Sequence, residues 1–135
     1  MRALVDTSAL LALARSNDQY HNEAVRIAER HLDSGGRFLG TTLILAELYS
    51  HLLYLRGAKS ARVALQQLLE DPAHSWIAVD VGLVHAAAVN WLARFPDQSL
   101  SLVDAVSLEV MRRQRTKWAF AFDHHFEIVG YELVR

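Results

Sequence analysis

Four carboxylates stand in apolar surroundings: Asp6 in ALVDTSALLAL, Glu47 in TTLILAEL, Asp104 in LSLVDAVSL and Asp123 in WAFAFDHHF. Apolar neighbours predict burial, and a carboxylate is rarely buried unless it is paired, hydrogen-bonded or bound to metal. Four of them in a cysteine-free chain of 135 residues predict that distant segments converge on one hard-cation site, because oxygen ligands suit magnesium or manganese. Without a cation the acids repel one another, and at least one has a raised pKa that belongs to the coupled group. With one or two Mg2+ or Mn2+ ions, the same set can bind a phosphodiester, activate water and stabilise the leaving alkoxide of an in-line displacement. The products would carry a 5′-phosphate and a 3′-hydroxyl. One of the carboxylates could accept a proton from the attacking water. Thr7 and Ser8 are placed to orient the ligands or to bond a phosphate oxygen.

Each acid also has a plainer role to weigh. Asp6 and Asp104 suit helix N-termini, where a cap contributes about 1 kcal/mol. Glu47 could pair with a cation across helices, and Asp123 could cap a turn. Ligand roles are favoured for the set, because capping does not explain acids that follow buried strands. His124 and His125 titrate near neutrality, but an oxygen-rich site does not need imidazole. They are read as a loop rim that touches substrate phosphate, with His124 the candidate contact. The other five histidines share no ligand spacing and are read as surface or packing residues.

The elements that must position these acids alternate. Ala3–Val5 reads as a buried strand, and Asp6-Thr7-Ser8 as a strand-to-helix junction. A helix is expected over Asn22–Leu32, ended by Gly35-Gly36, with a second strand beginning at Phe38 and Leu39. Thr41 or Thr42 caps an apolar helix running to about Leu55, stopped by Gly57, with Glu47 in its second turn. Ser60 is expected to cap Ala61–Glu70, Trp76–Val79 reads as a strand, and Val81–Phe95 as a helix broken by Pro96. Ser101 stands three residues before Asp104 in a capping-box pattern that opens a helix through Met111, and Trp118–Phe122 reads as a central strand closed by Asp123. Short apolar strands alternating with helices predict an α/β/α sandwich around a mainly parallel sheet. Asp6 and Asp123 would follow strands at their carboxyl ends, while Glu47 and Asp104 would lie early in helices, so one crevice could hold all four.

Composition narrows the partners. Fourteen Lys plus Arg against fifteen Asp plus Glu leave a formal net charge of −1, so no global basic field attracts nucleic acid and RNA would need a local patch. Arg112, Arg113, Arg115 and Lys117 form the densest basic run. They are RNA-binding candidates, although cations at a helix C-terminus also complement its dipole. Arg56, Lys59 and Arg62 are a second candidate patch. Trp76, Trp91 and Trp118 adjoin aliphatic residues and are expected in the core. The length and the absence of any linker or repeat predict one domain over residues 1–135. The lack of cysteine fits a reducing compartment, and the polar Asp6-Thr7-Ser8 interrupts any export signal, so a cytoplasmic protein without a membrane span is expected.

Taken in order, LVDTSALLAL, TTLILAEL, LSLVDAVSL and AFAFDHHF resemble the PIN domain, especially the short VapC-type ribonuclease toxins of bacterial toxin and antitoxin pairs. The acids are separated by 41, 57 and 19 positions, and the resemblance spans nearly the whole chain. It implies a metal-dependent endoribonuclease, usually a homodimer, whose antitoxin blocks the acidic site, with Asp6, Glu47, Asp104 and Asp123 as metal ligands and catalytic residues. The chain departs from the family pattern at His124-His125, where relatives often carry a basic or polar residue and then a further acid. Two rival readings remain: a PIN-like module that binds RNA or protein without cutting, and another magnesium phosphohydrolase using Asp6 as nucleophile. The latter chemistry usually needs a second Asp two residues on, where Ser8 stands.

Overall fold

The computed structural model describes residues 1–135 as a five-stranded, all-parallel sheet with helices on its faces. Along the chain come β1 (Arg2–Val5), α1 (Thr7–Ala14), α2 (His21–Asp33), β2 (Arg37–Thr41), α3 (Thr42–Arg56), α4 (Ala58–Glu70), β3 (His74–Ile77) and α5 (Val81–Ala87). A π-turn (Ala88–Leu92) follows, then α6 (Leu102–Gln114), β4 (Trp118–Phe120), α7 (His125–Ile128) and β5 (Glu132–Leu133).

The strand order is β3-β2-β1-β4-β5. The chain builds outward from β1 through β2 to β3, then returns to pair β4 against the other side of β1. A crevice therefore opens between the carboxyl ends of β1 and β4, the switch point at which open parallel sheets gather ligands. The central strands are buried on both faces, as parallel pairing under helices requires. Ala3, Leu4, Val5, Leu39, Ala119 and Phe120 are all fully inaccessible. Phe38 and Phe120 stack across the sheet with ring centroids 5.6 Å apart.

Local chemistry sets the helix starts. Thr41 caps α3 by accepting the Ile44 N–H at 3.3 Å, and Gly57 ends that helix at φ 88°, a conformation that disfavours side chains. Because Gly57 also opens α4, that helix starts at Ala58, three residues before the expected Ala61, and encloses Ser60. Asp80 caps α5 through the Leu83 N–H at 2.8 Å. The helix read through to Phe95 instead widens at Ala88–Leu92, where the Ala93 N–H reaches the Ala88 carbonyl at 2.9 Å. β3 lies two residues earlier than Trp76–Val79. The two-residue β5 was not expected, and its shortness explains why it leaves little trace in the sequence. Trp91 is buried, and Trp76 and Trp118 pack against the core from half-buried positions. No helix is long and apolar enough to cross a membrane.

Candidate active site

Asp6 leaves the end of β1, and its backbone N–H is held by the Phe120 carbonyl of β4 at 3.0 Å, so the switch point itself fixes this acid. Its side chain caps α1. Oδ2 accepts the Ser8 N–H at 3.3 Å and the Ser8 hydroxyl at 2.8 Å. The Ser8 hydroxyl in turn accepts the Phe122 N–H at 3.1 Å. One serine thus ties the Asp6 carboxylate to the chain leaving β4, which is a positioning role. Thr7 is buried, and its hydroxyl has no hydrogen-bond partner.

Asp104 is the third residue of α6, and the capping box is complete. Its N–H donates to Ser101 Oγ at 3.0 Å while its Oδ2 accepts the Ser101 N–H at 3.2 Å. Asp123 stands three residues beyond the end of β4, after Ala121 and Phe122, rather than directly behind the strand. Its Oδ1 accepts the His125 N–H at 2.8 Å and turns the chain into α7. The capping and ligand readings are therefore compatible. Each of these three acids commits one oxygen to the local backbone, and the other oxygen makes no hydrogen bond.

The electrostatics bring the three together. Burial pushes Asp6 up from 3.8 to about 6; the Ser8 hydrogen bonds pull it down, and the charges of Asp104 and Asp123 push it further up. No lysine or arginine pairs with Asp6, Asp104 or Asp123. A cluster of buried and half-buried carboxylates with free oxygens and no lysine or arginine counterion suits a hard divalent cation.

Histidine enters where an all-oxygen site was expected. His125 Nδ1 lies 2.9 Å from Asp123 Oδ1 and 3.2 Å from Asp104 Oδ2. Donor atoms of Asp104, Asp123 and His125 all fall within 4.8 Å of one another. The reading of His124-His125 as a joint rim is thus corrected: the turn made by Asp123 sends His125 inward and His124 outward. His124 is 83 % exposed and pairs with Glu127 at 3.2 Å. The signal available in the sequence was the placement of His125 two residues after Asp123.

Glu47 lies half-buried in the second turn of α3, the helix that follows β2 beside β1. Its side chain forms no hydrogen bond or ion pair, and it does not join the group formed by Asp104, Asp123 and His125.

The basic run sits elsewhere. From Asp104 to Arg115 the helix advances roughly 16 Å, and Lys117 directly precedes β4, so Arg115 and Lys117 lie at the opposite, amino-terminal edge of the sheet beside Met1 and Arg2. Arg112 and Arg113 are bound to Glu109, a fully buried acid that sequence reading missed. Arg112 grips it through Nε at 3.0 Å and Nη2 at 2.6 Å, and Arg113 Nε adds a bond at 2.9 Å. Asn90 and Trp91, presented by the π-turn, donate to the same Oε1 at 3.1 Å each. Burial opposes the Glu109 charge, yet hydrogen bonds from Arg112, Asn90, Arg113 and Trp91 hold its carboxyl at about 2. This hub ties α6 to the π-turn and engages two of the four cations assigned to RNA, offsetting one of their two charges. Its signal was the spacing of Glu109 from Arg112 and Arg113, three and four residues on.

Comparison with known proteins agrees with the topology. The PIN domain family matches residues 3–130. The 23S rRNA-specific endonuclease VapC20 of Mycobacterium tuberculosis is 29 % identical over 132 residues, covering 97 % of this chain and 96 % of that protein. The crystal structure of VapC20, described as a sarcin-ricin loop cleaving toxin, matches with a TM-score of 0.84 at 27 % identity, over 96 % of this chain and 95 % of that one. FitAcB from Neisseria gonorrhoeae matches at a TM-score of 0.70 and 14 % identity, over 100 % of this chain and 97 % of that one, a likeness of fold.

Proposed function

The chain belongs to the PIN-domain family, and from that premise we propose that it is a metal-dependent endoribonuclease and the toxin of a toxin and antitoxin pair. The observation that carries the proposal is the convergence of Asp6, Asp104 and Asp123, each with an uncommitted oxygen, at the carboxyl edge of β1 and β4. The likeness to VapC20 over almost the full length of both chains supports the same reading.

In this proposal Asp6, Asp104 and Asp123 hold Mg2+ or Mn2+, with Glu47, half-buried on α3, assigned as a further acid of the centre. When bound, the cation supplies Lewis acidity to the phosphodiester and lowers the pKa of water. The protein residues do the positioning. Ser8 fixes the free oxygen of Asp6, and the Ser101 capping box fixes that of Asp104. Ser8 also anchors Phe122 and thereby the turn that carries Asp123. The carboxylate cluster accepts the proton of the attacking water. The water oxygen joins phosphorus as the P–O3′ bond breaks, and the departing O3′ takes up a proton, which leaves a 5′-phosphate and a 3′-hydroxyl. The exposed His124 is assigned to contact with substrate phosphate, and the buried Thr7 hydroxyl to orienting the ligands. Arg115 and Lys117, together with Arg112 and Arg113 where Glu109 leaves them free, are assigned to more distant RNA.

The name of the relative makes 23S ribosomal RNA the first substrate to try. The proposal extends to residues 1–135 acting as one cytoplasmic nuclease domain, to a homodimer, and to an antitoxin that covers the acidic crevice. The intact acid set argues against a silent RNA- or protein-binding module, since mutually repelling buried carboxylates are costly without a cation to hold. The test is incubation of the purified chain with ribosomal RNA and a panel of unrelated RNAs, with Mg2+ or Mn2+ and with EDTA, followed by mapping of the ends. Discrete cleavage that needs the metal and leaves ligatable 5′-phosphates is expected. Cleavage in EDTA, or 2′,3′-cyclic phosphate ends, would overturn it.

A further inference from the structure

His125 is the one side chain at the crevice whose position the carboxylate reading leaves unexplained. Its Nδ1 is fully buried and lies between Asp123 Oδ1 and Asp104 Oδ2, yet it makes a properly directed hydrogen bond to neither. A histidine whose task was to bridge two carboxylates would aim a ring N–H at one of them. The backbone at this residue is held in place. The His125 N–H is committed to Asp123 Oδ1 at 2.8 Å, and the next residue, Phe126, is fully buried beneath α7.

The separations have another meaning. Two donors occupying neighbouring positions on one ion, each about 2.1 Å from it, stand about 3.0 Å apart. The Nδ1 distances of 2.9 and 3.2 Å to the two carboxylates bracket that value. From this geometry we infer that His125 Nδ1 is itself a ligand of the divalent cation, completing a mixed nitrogen and oxygen donor set with Asp104 and Asp123. The inference rests on the metal-dependent reading above and deepens it.

The donor change has a consequence for metal choice. A neutral imidazole beside the Asp6, Asp104 and Asp123 carboxylates adds a nitrogen donor without adding negative charge. Imidazole is a poor ligand for Mg2+ and a good one for transition metals, so the site selects Mn2+ over Mg2+ more strongly than an all-oxygen site of the same shape.

The full-length protein loaded with Mn2+ is suited to pulsed electron paramagnetic resonance, which detects nitrogen bound directly to the ion and needs no turnover. Wild type should show 14N modulation from a coordinated imidazole. His125→Gln should lose it, and Asp104→Asn should weaken Mn2+ binding itself. By calorimetry, His125→Asp should shrink the Mn2+ to Mg2+ affinity ratio by about tenfold or more, on the scale of a lost or altered ligand. Mn2+ bound in an Asp104-dependent manner without 14N modulation would overturn the role of His125 and leave the metal centre standing. Failure of Mn2+ to bind in an Asp104-dependent manner would overturn both.

Discussion

Replacing Asp6 by Asn should stabilise the metal-free protein, although Asp6 is buried, caps a helix and is assigned to catalysis. Its pKa rises from 3.8 to about 6 on folding, chiefly through burial, with Asp104 and Asp123 adding repulsion. A shift of about two units corresponds to about 3 kcal/mol against the charged form. The folded state holds this proton more tightly than the unfolded state, so the penalty is absent below about pH 4, grows as the pH rises toward 6 and is fully present above it. Asparagine carries no charge and keeps an amide oxygen for Ser8, so it retains part of the cap that Asp6 Oδ2 now provides. In EDTA at about pH 7.5, Asp6→Asn should therefore exceed wild type by about 1–3 kcal/mol, and the two should converge near pH 4. Urea denaturation followed by circular dichroism at several pH values measures the gap directly. A variant less stable than wild type at neutral pH, or a gap that does not change with pH, would refute the electrostatic account of the crevice. Added Mn2+ should reverse the order by stabilising wild type more than the variant.

Glu109→Ala should cost about 3 kcal/mol by stranding the indole of Trp91 and the amide of Asn90, while leaving Mn2+ affinity unchanged, as denaturation and calorimetry would show. Because the folded pKa of Glu109 lies below its ordinary 4.5, its contribution is complete above that pH and is lost as the pH falls toward 2, so the gap between Glu109→Ala and wild type should narrow in acid. Ser101→Ala removes the hydroxyl half of the capping box and should lower stability by about 1 kcal/mol by denaturation, with little change in cleavage rate, because the backbone N–H that holds Asp104 Oδ2 remains. Ser8→Ala should raise the Asp6 pKa further and shift the alkaline onset of metal binding upward, readable from Mn2+ affinity against pH.

The parts of this molecule that were legible in the sequence are those that local chemistry decides. Ser101 and Asp104 at cap spacing, Thr41 before an apolar helix and the Asp6 junction behind a buried strand each carry their own physical signature, and each is found as read. What escaped depends on contacts between distant residues. The π-turn exists where Asn90 and Trp91 must reach Glu109, which lies 18 or more positions away. The basic run looked available because linear spacing does not reveal that Glu109 takes two of its members. Nor does it show that the length of α6 carries the others to the far edge of the sheet. His125 was set aside for a chemical reason, that oxygen ligands suffice for the cation, and only the turn at Asp123 shows where its ring is sent.

The central claim is that Asp6, Asp104 and Asp123 form one cation centre that hydrolyses RNA. The most direct test is single-turnover cleavage of a 23S rRNA fragment by wild type, Asp6→Asn, Asp104→Asn and Asp123→Asn in Mn2+, with folding verified by circular dichroism. Each variant should remain folded and lose at least about a thousandfold in rate, on the scale of removing a principal electrostatic element from an active site. A folded Asp104→Asn or Asp123→Asn variant that cuts at close to the wild-type rate would contradict the account.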